Sequence, residues 1–462
     1  MQFQPGQHIH IVGVGGFGMS AIARILLERD FVVSGSDRSN NMLTDALKRD
    51  GATIYTGHDA SHLHDADMVI ATSAVPDDHV ELTAARQAGI PVYRRRDILA
   101  PLMHGQQVVA VAGTHGKTTT TSMIVHVLRE AGLDPSYIVG GVMPGTGTNA
   151  GVGSGDVFVI EADEYGHMFL GLEPDIAVLT SLEYDHPDFF KSEQLMMDVF
   201  RQFLETVPAH APLIACADYP QIHTLLSSID HPFDVMLYSI VNHQQAGIRA
   251  DNIQLSPEGT RFDVRLITGG AVDANAGSVR LGLPGRHNVQ NALAALAVVD
   301  RLGVFFPVAA SALGMFRSTG RRFEVRGERD GVLVVDDYAH HPTAISTTIE
   351  AARAYYPDRE IWAVWQPHMY SRTRELIGDY ARAFSGADHV LVTSVYAARE
   401  APLPGVTGEW ASGYIQHDDV RYSGSLDETI ALLRQQLKPN SVVLIMSAGD
   451  APRIGAALLE ER

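Results

Sequence analysis

Val111-Ala-Gly-Thr-His-Gly-Lys-Thr-Thr-Thr120 sets an apolar run directly before a glycine turn that ends in Lys-Thr. Residues of these types at this spacing can hold a nucleoside triphosphate. Backbone N–H groups of Gly113, Thr114, His115 and Gly116 can wrap phosphate oxygens, Lys117 can neutralise the outer phosphates, and the hydroxyl of Thr118 or Thr119 can reach a Mg²⁺ ion. A helix from Lys117 to about Ala131 would bring the positive end of its dipole to the same anion. The loop is shorter than the full pattern: Val111 stands where glycine is expected, so the turn is anchored at Gly113. A second glycine turn, Gly13-Val-Gly15-Gly16-Phe-Gly18, follows the apolar run from His8, and Asp37 closes the next run. Such a turn makes room for the diphosphate of a dinucleotide or of another nucleotide and does not name its ligand.

Acidic and imidazole groups fall where further apolar runs stop. Val157-Phe-Val-Ile160 ends in Glu161-Ala-Asp163-Glu164, and the run through Leu179 ends in Asp185-His186. Hard cations take oxygen ligands first, so one of these carboxylates together with phosphate oxygens is expected on Mg²⁺, and His186 is the less usual member. Gly285-Arg-His287-Asn288-Val-Gln-Asn291 reads as a helix start with Asn288 as its cap. Asn291 lies one turn later on the same face, where an asparagine pair suits an adenine edge. Asp336-Asp337-Tyr-Ala-His340-His341 closes another strand and fits either a metal site or a solvated turn.

The elements that carry these residues alternate between short strands and helices, the pattern of an α/β chain with parallel sheets covered on both faces. Strands are predicted at His8–Val14, Phe31–Ser36, Met68–Ile70, Pro91–Val92, Val108–Ala110, Val157–Ile160 and Ile176–Leu179, and again at Val332–Val335, Ile361–Val364, His389–Val392 and Val442–Ile445. Helices are predicted at Met19–Arg29 and Asn288–Leu302, and a Gly- and Asp-rich segment from about 243 to 280 reads as β-hairpins. Three domains follow: 1–105, 106–318 and 319–462, the last entered through the basic link Gly320-Arg-Arg-Phe-Glu-Val-Arg-Gly327.

The 462 residues are 45 % hydrophobic and 19 % charged, enough to build full cores in each domain. A formal charge of −19 argues against nucleic acid and anionic membranes as partners. The lone cysteine, Cys216, excludes an intrachain disulfide and a cysteine metal cluster. No run approaches the ~20 apolar residues that span a bilayer, and the first strand follows Met-Gln-Phe-Gln-Pro-Gly without a secretory signal, so the cytoplasm is the expected compartment.

Gly113-Thr-His-Gly-Lys-Thr-Thr-Thr120, Glu161-Ala-Asp-Glu164, Asp185-His186, His287-Asn288-Val-Gln-Asn291, Arg321-Arg322-Phe323 and Asp337-Tyr-Ala-His-His-Pro342 resemble, in type and order, the motifs of the Mur ligases. The resemblance covers the whole chain. It implies a Rossmann-like N-terminal domain, a central P-loop ATPase domain and a Rossmann-like C-terminal domain. It also implies ATP and Mg²⁺ as cofactors, and amide formation through an acyl phosphate in peptidoglycan precursor synthesis. Gly13 to Gly18, Gln366-Pro-His368-Met-Tyr370-Ser-Arg372-Thr-Arg374, Tyr396-Ala-Ala398 and Ala448-Gly449-Asp450 resemble the members that join L-alanine to UDP-N-acetylmuramate. Tyr165 is similar instead to the members that attach a tripeptide to the same sugar nucleotide. An NAD-dependent oxidoreductase would use Gly13 to Gly18 and Asp37 and leave Lys117, Glu161 and Arg322 without a role.

The resemblance also implies roles. Gly15, Gly16, Gly18, Asp37, His58, Ser73 and Ala74 fall at UDP contacts, Lys117 at the γ-phosphate lysine, and Thr118, Glu161 and His186 at the metal ligands. His287, Asn288 and Asn291 fall on the adenine side, Arg322 at the triphosphate and Asp337 at the ribose. His341, His368, Arg372 and Arg374 fall where the amino acid and the sugar diphosphate are handled.

Overall fold

The computed structural model describes residues 4–143, 145–241, 246–268 and 271–460. Two compact units emerge. The first comprises Met1–Leu182, Met197–Tyr238 and Ala294–Ala309, and the second Glu183–Met196, Ser239–Leu293 and Ala310–Arg462. Residue 105 falls inside the first unit because helices of its first sheet pack on elements of its second. Phe17–Glu28 meets Ala150–Gly151, and Arg95–Met103 meets the 3-10 segment Tyr165–Gly171.

In the first unit, strands β1 (His8–Val12), β2 (Val32–Asp37), β3 (Thr53–Thr56), β4 (Met68–Ala71) and β5 (Val92–Arg94) form a sheet in the order β3-β2-β1-β4-β5. All its pairings are parallel. Near-continuous apolar strands such as Met-Val-Ile-Ala of β4, buried along its whole length, are what a sheet buried on both faces requires. The order reverses between β1 and β4, and ligands of open parallel sheets collect at the carboxyl ends beside such a switch. Gly13 to Gly18 leave β1 there.

The same unit contains β6 (Gln107–Ala112), β7 (Ser136–Ile138), β8 (Ala150–Gly151), β9 (Val157–Glu161), β10 (Ile176–Leu179), β11 (Pro212–Cys216) and β12 (Asp234–Ser239). They run in the order β12-β11-β10-β6-β9-β7-β8, with β6 parallel to both β9 and β10. Of these strands the sequence foresees β6, β9 and β10, with β10 matching its predicted bounds and β6 and β9 extending one or two residues further; β7, β8, β11 and β12 are additional to the sequence reading. The helix Lys117–Glu130 follows β6 as read from the sequence.

In the second unit, β13 (Ile248–Ser256), β14 (Gly259–Thr268) and β15 (Ala271–Leu281) form consecutive antiparallel hairpins, as the Gly- and Asp-rich segment predicts. Residues 243–245 and 269–270 of that segment lie outside the described residues. The helix after it spans Arg286–Arg301, starting before Asn288. A further sheet has the order β16-β17-β21-β18-β19-β20 and is built from β16 (Glu324–Arg329), β17 (Val332–Asp337), β18 (Glu360–Trp365), β19 (His389–Thr393), β20 (Val420–Gly424) and β21 (Ser441–Met446).

Side-chain alternation splits that sheet's core in two. Val335, Ile361, Ala363, Trp365, Val390 and Leu444 pack on one face with Ile345 and Ile349 of the helix Pro342–Tyr355. Val334, Trp362, Val364, Leu391 and Ile445 pack on the other with Leu433 and Ile454. The predicted link from Gly320 to Gly327 is in part β16, an antiparallel edge strand on β17.

Candidate functional site

The loop Gly113–Gly116 turns between the end of β6 and the helix Lys117–Glu130, and two of its positions demand glycine. Gly113 has φ +131°, and a Cβ there would fall 2.2 Å from Thr180 Oγ1 and 2.8 Å from Ser181 O. Gly116, with φ +79°, is the left-handed residue that starts the helix. The loop is fastened to the chain beyond β10: Thr114 N–H donates to Ser181 O (3.1 Å) and His115 N–H to Ser181 Oγ (2.7 Å). Two of the four loop amides expected at the phosphates therefore hold the loop's own shape in this structure.

Around the loop stand the acidic groups that end β9. Lys117 Nζ donates to Glu164 Oε2 (2.7 Å) and Oε1 (3.0 Å) and to Gly113 O. Burial works against the Lys117 charge, but Glu164, Asp163 and Glu161 outweigh it and hold the ammonium above its ordinary pKa. Thr118 Oγ1 donates to Glu161 Oε1 at 3.1 Å, and Gly140 N–H donates to Glu161 Oε2 at 2.7 Å. Adjacent oxygens on an octahedron with ~2.0–2.1 Å bonds lie about 2.9 Å apart, so this hydroxyl and carboxylate fit neighbouring positions on Mg²⁺. Glu164 is missing from the sequence-predicted site, although the acidic run that contains it points there.

The second glycine turn shares this unit. Gly15 N–H donates to Asp37 Oδ2 (2.8 Å), and Asn41 Nδ2 donates to Gly15 O (3.0 Å), so Asp37 shapes the turn itself. Gly16 is exposed beside buried Gly15, and Ser73 and Ala74 lie exposed beyond the end of β4. His58 Nδ1 lies 3.0 Å from Ser36 Oγ and 3.2 Å from Glu81 Oε2. Arg95, which sequence reasoning missed, lies against the turn: a Cβ on Gly18 would fall 2.3 Å from its Nη1. Burial lowers the Arg95 pKa, opposed by Asp163 and Glu161. Its guanidinium therefore lies against the Gly18 turn and within electrostatic reach of the Asp163 and Glu161 carboxylates.

The second unit gathers the remaining predicted residues. Asp185 is 4 % exposed and receives Arg372 Nε at 2.7 Å. Arg372 also donates through Nη1 to His368 Nδ1 (3.0 Å) and through Nη2 to His186 Nδ1 (3.2 Å). Burial opposes the Asp185 charge, yet Arg372 and then His186 and His340 hold it well below the usual carboxylate range. Burial and then Arg372 push His368 down to about 4, so its imidazole is neutral near pH 7. Arg372, expected at the substrate end, is 2 % exposed, and each of its three nitrogens has a protein partner. It positions His186 and His368. Because His186 Nδ1 accepts from Arg372, the hydrogen of a neutral ring sits on Nε2, so a metal bound through His186 requires either Arg372 or that hydrogen to move.

Arg374 is exposed and contacts Glu375 at 2.8 Å, which leaves its guanidinium reachable. His341 caps the helix Pro342–Tyr355 by accepting from Thr343 N–H, and its Nε2 reaches Tyr184 O at 3.3 Å. Asn291 Nδ2 donates to Asn288 Oδ1 (3.2 Å), confirming that the two share a face. Asn288 does not cap the helix, however, because Arg286 already begins it; its Nδ2 instead donates back to Pro284 O (2.7 Å). Burial and then Arg322 lower His287 to about 4. Asp337 accepts from Phe323 N–H and Ala339 N–H, both at 2.7 Å, while Arg322 stacks over Tyr338 with 5.1 Å to the ring centre.

Residues 8–107 match the Mur ligase family catalytic domain, 111–299 the Mur ligase middle domain, and 321–449 the Mur ligase glutamate ligase domain. A UDP-N-acetylmuramate–L-alanine ligase of Salinibacter ruber is 42% identical over 98% of this chain and 94% of its own. Among solved structures, UDP-N-acetylmuramate-alanine ligase of Thermotoga maritima superposes with a TM-score of 0.80 at 28% identity, covering 97% of both chains. A murein peptide ligase of Psychrobacter arcticus superposes with a TM-score of 0.71 at 27% identity, covering 99% of this chain and 100% of its own.

Proposed function

The chain belongs to the Mur ligase family, and from that premise we propose that it joins L-alanine to the carboxylate of UDP-N-acetylmuramate at the expense of ATP, forming ADP and phosphate. The observation that carries this reading is the 42% identity, over 98% of the chain, to a ligase named for that reaction. It is an enzyme of peptidoglycan precursor synthesis. Nucleotide substrates fit a cytoplasmic enzyme, and no helix among the described residues is long and apolar enough to cross a membrane.

A carboxylate is a poor acyl donor. Its oxygen attacks the γ-phosphorus of ATP, the bond from that phosphorus to the β,γ-bridging oxygen breaks, and ADP leaves. The neutral amine of L-alanine then attacks the acyl carbon, inorganic phosphate leaves with the C–O bond, and the nitrogen loses a proton. Negative charge grows first on phosphoryl oxygens and then on the oxyanion, so cationic groups and fixed dipoles stabilise both transition states. Mg²⁺, when bound, supplies Lewis-acid neutralisation of the phosphates. Thr118 and Glu161 are the residues that would hold it.

Lys117 meets the γ-phosphate, exchanging Glu164 for phosphate oxygens, and the N-terminal amides of its helix complete the clamp. Arg322 serves the triphosphate, Asp337 the ribose, and Asn288 with Asn291 the adenine. Gly15, Gly16, Gly18, Ser73, Ala74 and His58 border the UDP moiety, with Asp37 setting the turn. His341, His368 and Arg374 belong to the amino-acid and sugar-diphosphate end, held in part by Arg372.

Measuring ADP release with MgATP and UDP-N-acetylmuramate, with L-alanine in one arm and L-alanyl-γ-D-glutamyl-diamino acid in the other, tests the reading. Turnover with L-alanine supports it. Turnover with the tripeptide alone would replace it with murein recycling.

A further inference from the structure

Glu81 is 0 % exposed, and its partners are not those a buried carboxylate normally finds. Among the described residues no lysine or arginine pairs with it; Ser36 Oγ donates to Oε2 at 2.7 Å, and four imidazoles surround it. His58 Nδ1 stands 3.2 Å and His79 Nδ1 3.9 Å from Oε2, while His62 Nδ1 stands 3.0 Å and His10 Nε2 3.6 Å from Oε1. Two of those nitrogens lack hydrogen-bond partners among the described residues: His10 Nε2, on a fully buried side chain aimed at Oε1, and the buried Nδ1 of His79.

We infer that His58, His79 and Glu81 form a binding site for a borderline divalent cation of the Zn²⁺ type, separate from the Mg²⁺ donors Thr118 and Glu161. The ligand atoms of the three residues already lie within 4.8 Å of one another. On a tetrahedron with bonds of ~2.0–2.1 Å, ligand atoms are about 3.3 Å apart, so closing the triangle needs movements of under about 1 Å. Two imidazoles and one carboxylate select Zn²⁺ over Mg²⁺ or Ca²⁺, which prefer all-oxygen shells.

The supporting groups are in place. With Oε2 on the cation, Oε1 remains to accept from His62 and His10, and His10 is itself fixed through Nδ1 by Ser34 Oγ at 2.8 Å. Ser36 Oγ would give up its contact with His58. Glu81 is in the helix Val80–Gln87, His79 is the residue before it, and His58 is in the loop that follows β3.

The test titrates EDTA-treated full-length protein with Co²⁺ in saturating Mg²⁺, reads the visible ligand-field bands, and displaces the Co²⁺ with Zn²⁺. His79→Ala removes one ligand outside the residues assigned to the reaction, and exposed His104→Ala is the control. The expected result is one tetrahedral Co²⁺ site displaced by Zn²⁺. In His79→Ala its affinity falls by about 100-fold, the upper end of what loss of a supporting partner already costs. Thermal melting should show His79→Ala folded, ligase turnover should be unchanged, and His104→Ala should bind as the parent does. Absence of a site tighter than millimolar, or equal binding by His79→Ala, overturns the inference.

Discussion

Lys117 Nζ lies 2.7 Å from Glu164 Oε2, so the ammonium assigned to the outer phosphates is held by a carboxylate of the same unit. A polyanion must exchange that partner for its own oxygens, and the carboxylate opposes it. Glu164→Gln keeps the shape and removes the charge. We expect MgATP to bind this variant roughly fivefold tighter, about the ~1 kcal/mol net value of one hydrogen bond exchanged for another. Lys117→Ala should cut kcat by about 100- to 1,000-fold, the scale for one lost transition-state donor. Calorimetric titration with a non-hydrolysable ATP analogue checks the first outcome; weaker binding by Glu164→Gln would show that Glu164 serves the nucleotide instead of competing with it.

Gly18 and Arg95 give a way to separate substrate binding from folding. A methyl at Gly18 would meet the far end of the Arg95 side chain, which can swing away, and Gly18 has no positive φ to strain. Gly18→Ala should therefore melt close to the parent while its KM for UDP-N-acetylmuramate rises about tenfold, the ~1.4 kcal/mol of a displaced charged hydrogen bond. Arg95→Ala should do the same. Gly113→Ala, in contrast, meets Thr180 and Ser181 at a φ of +131° and should lose stability together with ATP binding. Steady-state kinetics with each substrate varied, alongside melting curves, distinguish these outcomes; an unchanged sugar-nucleotide KM in both Gly18→Ala and Arg95→Ala would remove Arg95 from the site.

Much of this was legible because local chemistry decides it. Gly113 to Thr120 can hardly adopt another turn, and the apolar runs of β1, β4, β6, β9, β10, β17, β18, β19 and β21 mark buried strands, whereas β3, β7, β8, β11, β12 and β20 are not foreseen. The edge strand β16 escaped notice because Glu324–Arg329 has almost no apolar alternation, being paired on one side and largely solvated. The misplaced start of the helix at Arg286 has a similar origin, since an asparagine near a helix start suggests a cap whether or not it occupies that position. Contacts between distant residues were invisible for a different reason. Neither the pairing of Arg372 with Asp185 nor the approach of Arg95 to Gly18 leaves a periodic trace in the chain, and both depend on how elements pack.

His389 carries a pH dependence of stability. Its Nε2 lies 2.9 Å from Glu360 Oε1 and its Nδ1 2.5 Å from Asp419 Oδ2, so the ring is bracketed by two carboxylates. Burial works against its charge, but these hydrogen bonds raise its pKa above the ordinary value. His389 lowers the pKa of Glu360, and it lowers that of Asp419 against an opposing burial effect. The histidine contribution is complete below its unfolded pKa and disappears as pH rises through the raised folded value. The carboxylate contributions are complete above their unfolded values and disappear as pH falls through the lowered ones. All coexist near pH 5.5, between the ordinary values of about 4 and 6.5. His389→Gln should cost ~0.5–1 kcal/mol more at pH 5.5 than at pH 8.5, a figure reduced for the partly exposed carboxylates. Urea unfolding at both pH values measures this, and an equal loss at the two would mean that the ring contributes through its stacking on Trp362 alone.

Asp185 and Arg372 form the buried ion pair at the centre of the second unit's site, with side chains 5% and 2% exposed. Removing one partner strands the other charge. Arg372→Ala should cost about 3–5 kcal/mol, the usual loss for half of a buried pair. It also frees His186 and His368, so activity should fall in whatever fraction stays folded. The double variant Asp185→Asn with Arg372→Met leaves no stranded charge, and its stability should recover by more than half, because desolvating two ions costs much of what their attraction returns. Activity should stay low in the double variant, since His186 would have lost the donor that fixes its ring. Denaturant unfolding gives the stability cycle and ADP release gives the activity. Recovery of both together would mean that Arg372 serves the fold only, and that His186 needs no positioning partner.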